Sequence, residues 1–472
     1  MTDNRIEENS DLYEHSLEEL TDEELKSLKN ARLNYTVNFV YHNNSFYRQV
    51  MEEKSLTPSD FKTTEDLKKL PVIDSDTLRQ NQPPFSDENE FKSEDTNVKR
   101  PFSTSGTSGV PKKVLKSFDE MERIYDDLKR GHESYGVTSE DVILNWFPFV
   151  GLNPSGAYTE GWIERLGAMS LPLLNTDYPT DYETALLKQY SPDVITGLAS
   201  HVDAKGRAFE HLEGFDPKEI GVDIITLSGE PVTKNRKEHI SKVFGSEVYD
   251  FLASTETGGI AYECPEGNHY HILDDSVHVE VLDGGYNRLD EGEEGKLVVT
   301  NLLHPGEESS MPLLRYNMGD IVSKYFENSG DCECSISGVT NISAPKREAW
   351  EFIIGAVNLN AKYIEDKVYE NEEIKEVVEG YQVRLDYDEK EGDVMNILLE
   401  TKDDHYLGDK TEGVSLSNSS RSPSYEVGRK ILDGDQYLKD TVENVGAAKI
   451  NVEFVEGINM PPGKPERIVD NR

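Results

Sequence analysis

The sequence predicts an α/β fold in which a large multi-sheet α/β domain, residues 1–345, precedes a small α+β domain, residues 346–472. Three observations support this prediction. Along the middle of the chain, short apolar segments alternate with helix-like stretches, which is typical of helices covering buried sheets. Residues 278–301 contain two strand candidates on either side of a Gly/Glu turn, which predicts an antiparallel hairpin. Beyond the proposed boundary the order of strands and helices changes again.

Helical periodicity dominates the N-terminal segment. Leu, Tyr and Val recur at helical spacing from Leu12 to about Ser55, which predicts two amphipathic helices. Thr63 is placed to cap a short helix that ends at Pro71, because proline cannot continue the helical hydrogen bonds. Residues 83–100 are mostly polar, and we predict a loop there.

A capped helix and several strands are predicted next. Ser117 stands three residues before Glu120, which is the spacing of a capping box, so we expect a helix over residues 117–130. In an α/β fold the functional residues belong in the loops beyond the strand ends. The predicted strands are Val142–Trp146, Asp193–Thr196, Asp223–Leu227 and Glu247–Leu252, and the hairpin is His278–Asp283 with Lys296–Asn301.

The C-terminal segment predicts the small α+β unit. A polar loop over residues 402–421 separates its two halves. The predicted elements are a helix at Tyr363–Val378, strands at Tyr381–Asp386 and Asp393–Glu400, a helix at Tyr425–Val442 and a strand at Lys449–Val455.

The composition limits the possible partners and compartments. The 472 residues include 49 Lys and Arg but 91 Asp and Glu, a formal charge of −42 that is spread along the chain and argues against nucleic acid as a partner. No apolar run approaches the roughly 18 residues of a membrane-spanning helix, and the N-terminus is polar and acidic, so we expect a cytoplasmic protein without a membrane partner. With three cysteines, no disulfide framework is expected. The acidity predicts a salt-loving source organism.

One stretch rich in Ser, Thr, Gly and Lys is a candidate phosphate-binding loop. Residues 104–113 combine hydroxyl donors, glycines that let backbone N–H groups approach a phosphate, and two lysines. A flexible surface linker is the alternative, and the order of residues is not that of a Walker loop. The members of the candidate loop are Thr104, Ser105, Gly106, Thr107, Ser108, Gly109 and Lys112.

Further motifs follow this loop in a consistent order. The chain contains Ser228-Gly229-Glu230-Pro231, then Tyr249 to Glu256 in the order Y-D-F-L-A-S-T-E, then Met311 to Asp320, and near its end Pro462 to Asp470. Together with the loop, these motifs resemble those of the adenylate-forming superfamily. The segments K-L-P-V-I-D-S-D-T before Leu78 and F-I-I-G-A-V-N-L from Phe352 resemble its phenylacetate–CoA ligase branch.

The resemblance implies an adenylate-forming fold with a mobile C-terminal lid and an ATP-dependent acid–CoA ligase activity. It implies that loop 104–112 binds the β- and γ-phosphates, that Glu256 binds Mg²⁺, and that Thr255 lies near the α-phosphate. It implies further that Asp320 and Arg347 bind the ribose, and that Lys464 reaches the reacting oxygen from the small domain. The remaining residues assigned to the nucleotide site by resemblance are Ser228, Gly229, Glu230 and Asp250.

The acid pocket and a metal site are also implied. Trp146, Phe147, Phe149 and Tyr158 stand where such enzymes line the acid pocket, which suggests an aromatic or otherwise apolar acid, although each is equally explained as an ordinary core aromatic. Some relatives carry C-x₆-H and C-x-C patterns, which predicts a structural zinc bound by a Cys₃His set. The predicted zinc ligands are Cys264, His271, Cys332 and Cys334.

Some positions depart from the family pattern and keep other functions open. Leu252 replaces an aromatic residue that usually stacks on adenine, and strand alternation points Phe251 to the opposite face. Ala356 replaces a glycine in the loop that lines the thiol channel. The alternatives are an adenylyltransferase that uses another acceptor, such as a deazaflavin coenzyme or a biosynthetic carboxylate, and a non-catalytic nucleotide-binding relative. A homodimer is also possible.

The charge predicts that the folded protein depends on salt. We expect the unfolding temperature to rise as KCl increases from dilute buffer to molar concentration, because ions screen the repulsion among the acidic side chains. Circular dichroism melting curves across a KCl series measure this dependence. Full stability in dilute buffer would contradict salt adaptation.

Overall fold

The structure of the protein is a computed structural model. The structure describes residues 20–104, 110–149, 151–173, 181–210, 212–230, 232, 234–267, 269–326, 340–347, 351–355, 357–360, 363–364, 367–368, 370, 374, 377–401, 403–414, 422–458 and 468–471.

The helices of the described chain begin where local capping signals stand. The two predicted N-terminal helices are confirmed, and Thr63 is the N-cap of a short 3₁₀ helix, Thr64–Lys69. Ser117 and Glu120 form the predicted capping box at the start of the next long helix. The helices are α1 (Asp22–Asn43), α2 (Ser45–Glu53), α3 (Ser75–Gln80), α4 (Phe118–Ser134), α5 (Ser155–Leu166), α6 (Asp181–Tyr190), α7 (Ala199–Glu210), α8 (Lys234–Phe244), α9 (Pro423–Asp433) and α10 (Gln436–Asp440).

A sheet of twelve described strands forms the centre of the large unit. A separate antiparallel pair, β1 (Arg100–Ser103) and β2 (Lys113–Lys116), flanks the candidate phosphate loop. Each strand predicted for this part of the chain overlaps an observed strand. The strands of the large sheet are β3 (Val142–Asn145), β4 (Met169–Pro172), β5 (Val194–Gly197), β6 (Ile224–Ser228), β7 (Glu247–Ser254), β8 (Gly258–Glu263), β9 (His269–Ile272), β10 (Val277–Leu282), β11 (Glu294–Asn301), β12 (Tyr316–Phe326), β13 (Thr340–Ser343) and β14 (Lys346–Arg347).

The large sheet has a parallel half and an antiparallel half. Strands β3 to β7 are parallel, in the spatial order β7-β6-β5-β3-β4, with helices in the connections. The chain leaves β3 for β4 on one side and returns to β5 on the other, so the strand order reverses between β3 and β5. In open α/β sheets ligands bind beyond the carboxyl ends of the strands at such a reversal. The predicted hairpin is confirmed as β10 and β11, which pair in antiparallel register.

The C-terminal unit has its own sheet, formed in spatial order by Lys410–Thr411, Ala448–Val455, Gly392–Thr401, Val378–Asp388 and Ile468–Asp470. Its helical segment predicted at Tyr363–Val378 lies largely outside the described residues. The helix predicted at Tyr425–Val442 is instead two α-helices, α9 and α10, followed by a π-helical turn over Thr441–Val445. Gly434 is the C-cap of α9, in keeping with the low helix propensity of glycine. The strands are β15 (Glu351–Ile354), β16 (Val357–Asn360), β17 (Val378–Asp388), β18 (Gly392–Thr401), β19 (Lys410–Thr411), β20 (Ala448–Val455) and β21 (Ile468–Asp470), of which β15 and β16 form a separate hairpin.

Buried apolar residues fall into separate clusters on the two units. One cluster lies wholly within the C-terminal unit, around Tyr381 and Phe454, while the others surround the large sheet. The burial of these side chains supplies most of the favourable free energy of folding. In the part of the chain that the structure describes, no helix combines the length and the apolarity needed to cross a membrane.

Candidate active site

A cavity of about 670 Å³ lies beyond the carboxyl ends of the parallel strands. Residues that follow β3, β5, β6 and β7 line it, as the strand order predicts. The C-terminal unit contributes a further wall, which includes Gly355, Val357 and Leu359. The predicted site residues among its lining are Thr104, Lys112, Phe147, Tyr158, Ser228, Gly229, Glu230, Asp250, Thr255, Glu256 and Asp320.

Lys112 and Glu256 form a buried ion pair at the nucleotide end of this cavity. The Lys112 Nζ lies 2.5 Å from the Glu256 Oε1, and it also donates to the Tyr316 hydroxyl at 2.9 Å and to the Ser75 hydroxyl at 3.0 Å. The Tyr316 hydroxyl in turn donates to the Glu256 Oε1 at 3.0 Å. Burial would raise the pKa of Glu256, but the adjacent Lys112 charge outweighs burial and lowers that pKa. The described end of the candidate phosphate loop therefore contacts the predicted magnesium ligand.

The turn after β6 is held tightly against the neighbouring strand. The Ser228 hydroxyl donates to the Phe251 carbonyl at 2.6 Å. Gly229 has a φ of +87°, and an added Cβ would lie 2.8 Å from the Leu198 side chain, so both the backbone and the space favour glycine. Glu230 follows, and its side chain is buried in the cavity wall.

The two predicted ribose residues stand opposite each other in the large sheet. Asp320 on β12 and Arg347 on β14 are directly paired in antiparallel register. Asp320 is 5% exposed and lines the cavity. The register therefore brings the chain at Arg347, just after the proposed domain boundary, to the predicted nucleotide site.

Asp250 is a buried carboxyl group behind the nucleotide end. The Tyr270 hydroxyl donates to its Oδ2 at 2.6 Å, and its own backbone N–H donates to the Glu263 carboxylate at 2.8 Å. Burial raises the pKa of Asp250 to about 7, despite the hydrogen bond from Tyr270. Asp250 therefore titrates near neutral pH.

The other end of the cavity is aromatic. The ring of Trp162 stacks on the His132 ring, with centroids 3.9 Å apart, and the Phe251 ring stacks on His132 at 5.7 Å. Burial lowers the pKa of His132 to about 4, so this imidazole is neutral at physiological pH. Phe147 and Tyr158 also line the cavity.

Trp146 does not belong to this pocket. Its side chain is fully buried in the core, with its ring 6.1 Å from Phe209 and 6.3 Å from Phe244 between centroids. Phe149 is half-exposed and packs beside Gly156. Neither aromatic lines the cavity. Trp146 and its neighbour Phe147 point to opposite faces of the sheet, as successive residues of an extended chain do, and Phe149 lies in the loop that follows.

The position of Phe251 agrees with its expected orientation. Phe251 packs in the cluster that contains His132-stacked Trp162, whereas Leu252 packs against the core of the antiparallel half. Both nevertheless reach the cavity wall. Because the Phe251 ring stacks on His132, it does not replace the aromatic ring that the family pattern has at position 252, where this chain has Leu252.

Three potential zinc ligands lie together on β9 and the preceding turn. The Cys264 sulfur and a ring nitrogen from each of His269 and His271 lie within 4.8 Å of one another. One thiolate and two imidazoles are ligand types that zinc prefers, so the residues fit the predicted metal. His269 was not among the predicted ligands, although its spacing from Cys264 was visible in the sequence. A bound zinc would fix the β8–β9 hairpin.

Several predicted site residues lie outside the described residues. They are Ser105, Gly106, Thr107, Ser108, Gly109, Cys332, Cys334 and Lys464. Their assigned roles therefore stay predictions.

Sequence reasoning also missed residues that line or support the cavity. Ser75 and Tyr316 both bind Lys112, and both lie inside motifs that had been matched as whole segments without a role for each position. Arg79 stands one helical turn after Ser75 and also lines the cavity, a spacing that could have drawn attention to it. His132 and Trp162 had no local signal, since only the tertiary fold brings α4 and α5 together at this cavity.

Known proteins match this chain over most of its length. The AMP-binding enzyme family matches residues 29–302. The chain belongs to the AMP-binding enzyme family. This AMP-binding enzyme is 28% identical to the phenylacetate–coenzyme A ligase of Thermus thermophilus, over 79% of its own chain and 80% of the relative. It is 24% identical to the phenylacetate–coenzyme A ligase of Aromatoleum evansii, over 97% of its own chain and 96% of the relative.

These matches confirm two predictions from the sequence. The AMP-binding enzyme lies in the phenylacetate–CoA ligase-like branch of the adenylate-forming superfamily, and it is an AMP-forming ligase of that branch. The fold is also confirmed. A solved structure of 2-hydroxyisobutyryl-CoA ligase, in complex with 2-HIB-AMP and CoA, matches with a TM-score of 0.71 at 20% identity, over 95% of this chain and 90% of that chain.

The raised pKa of Asp250 predicts how stability depends on pH. The folded pKa of about 7 exceeds the ordinary pKa of an aspartate, 3.8, so the stability from this group is full below the unfolded pKa and is lost as pH rises through the folded pKa. We expect Asp250→Asn to gain stability relative to the wild type as pH rises from about 5 to about 8. The gain is a few kcal/mol at most, at about 1.4 kcal/mol per pKa unit. Denaturant unfolding of both proteins in high KCl measures it, and a pH-independent difference would contradict the assignment.

The cluster on β9 predicts that the purified protein contains about one zinc per chain. We expect Cys264→Ser and His271→Asn to lose the metal, because each removes one ligand. The exposed His405 of the C-terminal unit provides the matched control, since His405→Asn should retain the zinc. Elemental analysis measures the content. Metal-free wild-type protein whose cysteines all titrate freely would rule out the site.

Proposed function

We propose that this enzyme uses ATP to activate an apolar carboxylic acid and then transfers the acyl group to coenzyme A. The observation that carries the proposal is one cavity whose lining includes both the Lys112–Glu256 pair and the aromatic cluster around His132. Such a cavity can hold a nucleotide and an apolar acid side by side.

The first half-reaction makes the carboxyl carbon reactive. A carboxylate oxygen of the acid attacks the α-phosphorus of ATP, the bond to the β-phosphate oxygen breaks, and pyrophosphate leaves. The catalytic contribution of the protein is positioning and charge stabilisation. Loop 104–112 with Lys112 would hold the outer phosphates, Glu256 would hold Mg²⁺, which neutralises phosphate charge when bound, and Thr255 would lie by the α-phosphate. Asp320 and Arg347 would hold the ribose.

The second half-reaction uses a thiol. The sulfur of coenzyme A attacks the acyl carbon, the bond from that carbon to the AMP oxygen breaks, and AMP leaves with the electron pair. We assign Lys464 to the first half-reaction and residues 346–472 to a mobile lid domain that follows the domain 1–345. A cytoplasmic location, a homodimer and a structural zinc remain part of the proposal from the sequence.

The neutral His132 stack favours an uncharged acid side chain. Burial keeps the imidazole neutral, and the rings of Trp162 and Phe251 both stack against it. Among the lining residues that the structure describes, the fixed cations are Arg79 and Lys112, and Lys112 belongs to the nucleotide end. A second carboxylate on the substrate tail would therefore be buried beside the stack without a counter-charge, which is unfavourable.

The expected activity is pyrophosphate release that requires an acid and is followed by thioester formation with CoA. An acid panel from short aliphatic to aryl acids, assayed with and without CoA in high KCl, measures both steps. We expect Glu256→Gln to lower acid-dependent pyrophosphate release roughly a hundredfold, because it removes a charge that organises the phosphate site. Glu294→Gln is the control, since Glu294 lies on β11 and its carboxylate forms an exposed ion pair with Lys346.

The outcomes separate the three readings of the sequence. Pyrophosphate release without thioester would favour an adenylyltransferase with another acceptor, which the Ala356 replacement in the channel loop also suggests. Silence across the panel would favour a non-catalytic nucleotide-binding relative. Equal activity of the Glu256→Gln and Glu294→Gln variants would contradict the assigned role of Glu256.

A further inference from the structure

A buried group of charges joins the large unit to the C-terminal unit. The Arg236 guanidinium on α8 pairs with Asp393 on β18, and its Nε lies 3.5 Å from the Asp203 carboxylate on α7. The Tyr387 hydroxyl on β17 donates to Asp203 at 2.9 Å, and Arg236 lies over the Tyr387 ring, 5.5 Å from its centroid. The side chains of Asp203, Arg236 and Asp393 are at most 1% exposed. A fully buried ion pair and a partly buried hydrogen bond therefore cross between the units, and the Arg207 guanidinium adds a hydrogen bond to the Gly446 carbonyl at 3.4 Å.

Asp203 has several partners inside the large unit. It pairs with Arg207 and accepts from the His239 Nδ1 at 2.6 Å. Burial would raise the pKa of Asp203, but the His239 hydrogen bond and the charges of Arg207 and Arg236 outweigh burial and lower that pKa. Burial would lower the pKa of Arg236, but the charges of Asp393, Glu230 and Asp203 outweigh burial and raise it. Removing one partner would leave a buried charge uncompensated, which costs far more than losing an exposed ion pair.

Asp393 connects this group to the cavity. Its Oδ1 pairs with Arg236, while its Oδ2 accepts the Gly355 backbone N–H at 2.9 Å. Gly355 directly follows β15 with a φ of +50°, and an added Cβ would lie 2.3 Å from the Thr441 side chain, so both the backbone and the space at this turn favour glycine. Gly355 and Val357, in the following strand, line the cavity. One carboxylate thus fixes the cavity wall on one side and the large unit on the other.

We propose that Arg236 and Asp393 are positioning residues for the transfer step. The cross-unit pair holds the C-terminal unit so that the β15–β16 hairpin closes the cavity wall beside the acid end. In this arrangement the hairpin shapes the route by which the acceptor thiol reaches the acyl carbon. The inference rests on the proposed function for its catalytic consequence, but the docking itself is a property of the fold.

The variants are chosen to remove the pair with little change of shape. Asp393→Asn keeps the size of the side chain and loses its charge, and Arg236→Gln removes the guanidinium. Tyr387→Phe removes only the hydroxyl that crosses to Asp203, so it tests the docking if a charge variant fails to fold. Lys205→Gln is the matched control, because Lys205 on α7 forms an equally buried pair with Glu183 inside the large unit.

The first readout compares the two half-reactions. We expect Arg236→Gln and Asp393→Asn to lower thioester formation roughly tenfold or more, with acid-dependent pyrophosphate release within about twofold of wild type, because misplacement of the wall affects the step that uses it. The double variant should be no worse than the poorer single variant, since both act through one contact. Equal losses in both half-reactions, or unchanged thioester formation, would overturn the proposal.

The second readout does not depend on any activity. Small-angle X-ray scattering of the full chain in high KCl measures how closely the units dock. We expect a larger radius of gyration for Arg236→Gln and Asp393→Asn, a smaller increase for Tyr387→Phe, and no change for Lys205→Gln. If the wild-type protein has no ligase activity but the charge variants still have a larger radius of gyration than wild type, only the proposed function is refuted. If the charge variants scatter like the wild type, the docking role is refuted.

Discussion

The buried ion pair between Lys112 and Glu256 determines how the rest of the site is arranged. Lys112 follows the candidate phosphate loop, Glu256 follows β7, and the hydroxyls of Ser75 and Tyr316 bring in α3 and β12. Four distant segments thus meet at one ammonium group. In the proposed function each partner replaces the other by a ligand of the same charge sign as the partner it loses. Lys112 exchanges the Glu256 carboxylate for phosphate oxygens, and Glu256 exchanges the Lys112 ammonium for a divalent cation. The buried charge stays balanced through that exchange, which keeps the desolvation cost low.

The strand order explains why this pair lies beside an aromatic pocket. The reversal between β3 and β5 opens a crevice at the carboxyl ends of the strands, and residues after β6 and β7 extend it toward the nucleotide end. The His132 stack forms where α4 and α5 pack near this crevice. One edge of the sheet therefore supplies a polar end and an apolar end, as a reaction between a nucleotide and an apolar acid requires.

Local signals predicted the elements, but tertiary contacts decided which residues face the cavity. The Ser117–Glu120 capping box and the β10–β11 hairpin depend on neighbouring residues, and both were predicted correctly. The motif order correctly indicated that Glu256 and Asp320 share one site, because each motif has a fixed position relative to a strand of the sheet. Both residues line the cavity. Trp146 was misplaced, since an apolar residue at a strand end satisfies either the core or a pocket. The cross-unit pair of Arg236 and Asp393 had no sequence signal, because its partners lie 157 residues apart.

Both ion pairs that carry functional proposals are buried, and this matters in a chain with a formal charge of −42. Exposed pairs weaken as salt rises, because ions screen charges at the surface. The Lys112 and Glu256 side chains are only 12% and 7% exposed, and those of Arg236 and Asp393 are 1% exposed, so salt reaches them poorly. The repulsion among acidic side chains at the surface thus depends on salt, whereas the two buried ion pairs depend on it little. Salt that relieves repulsion over the surface leaves the contacts that assemble the site intact, so the same chain can tolerate a strongly acidic surface and retain a charge-organised cavity.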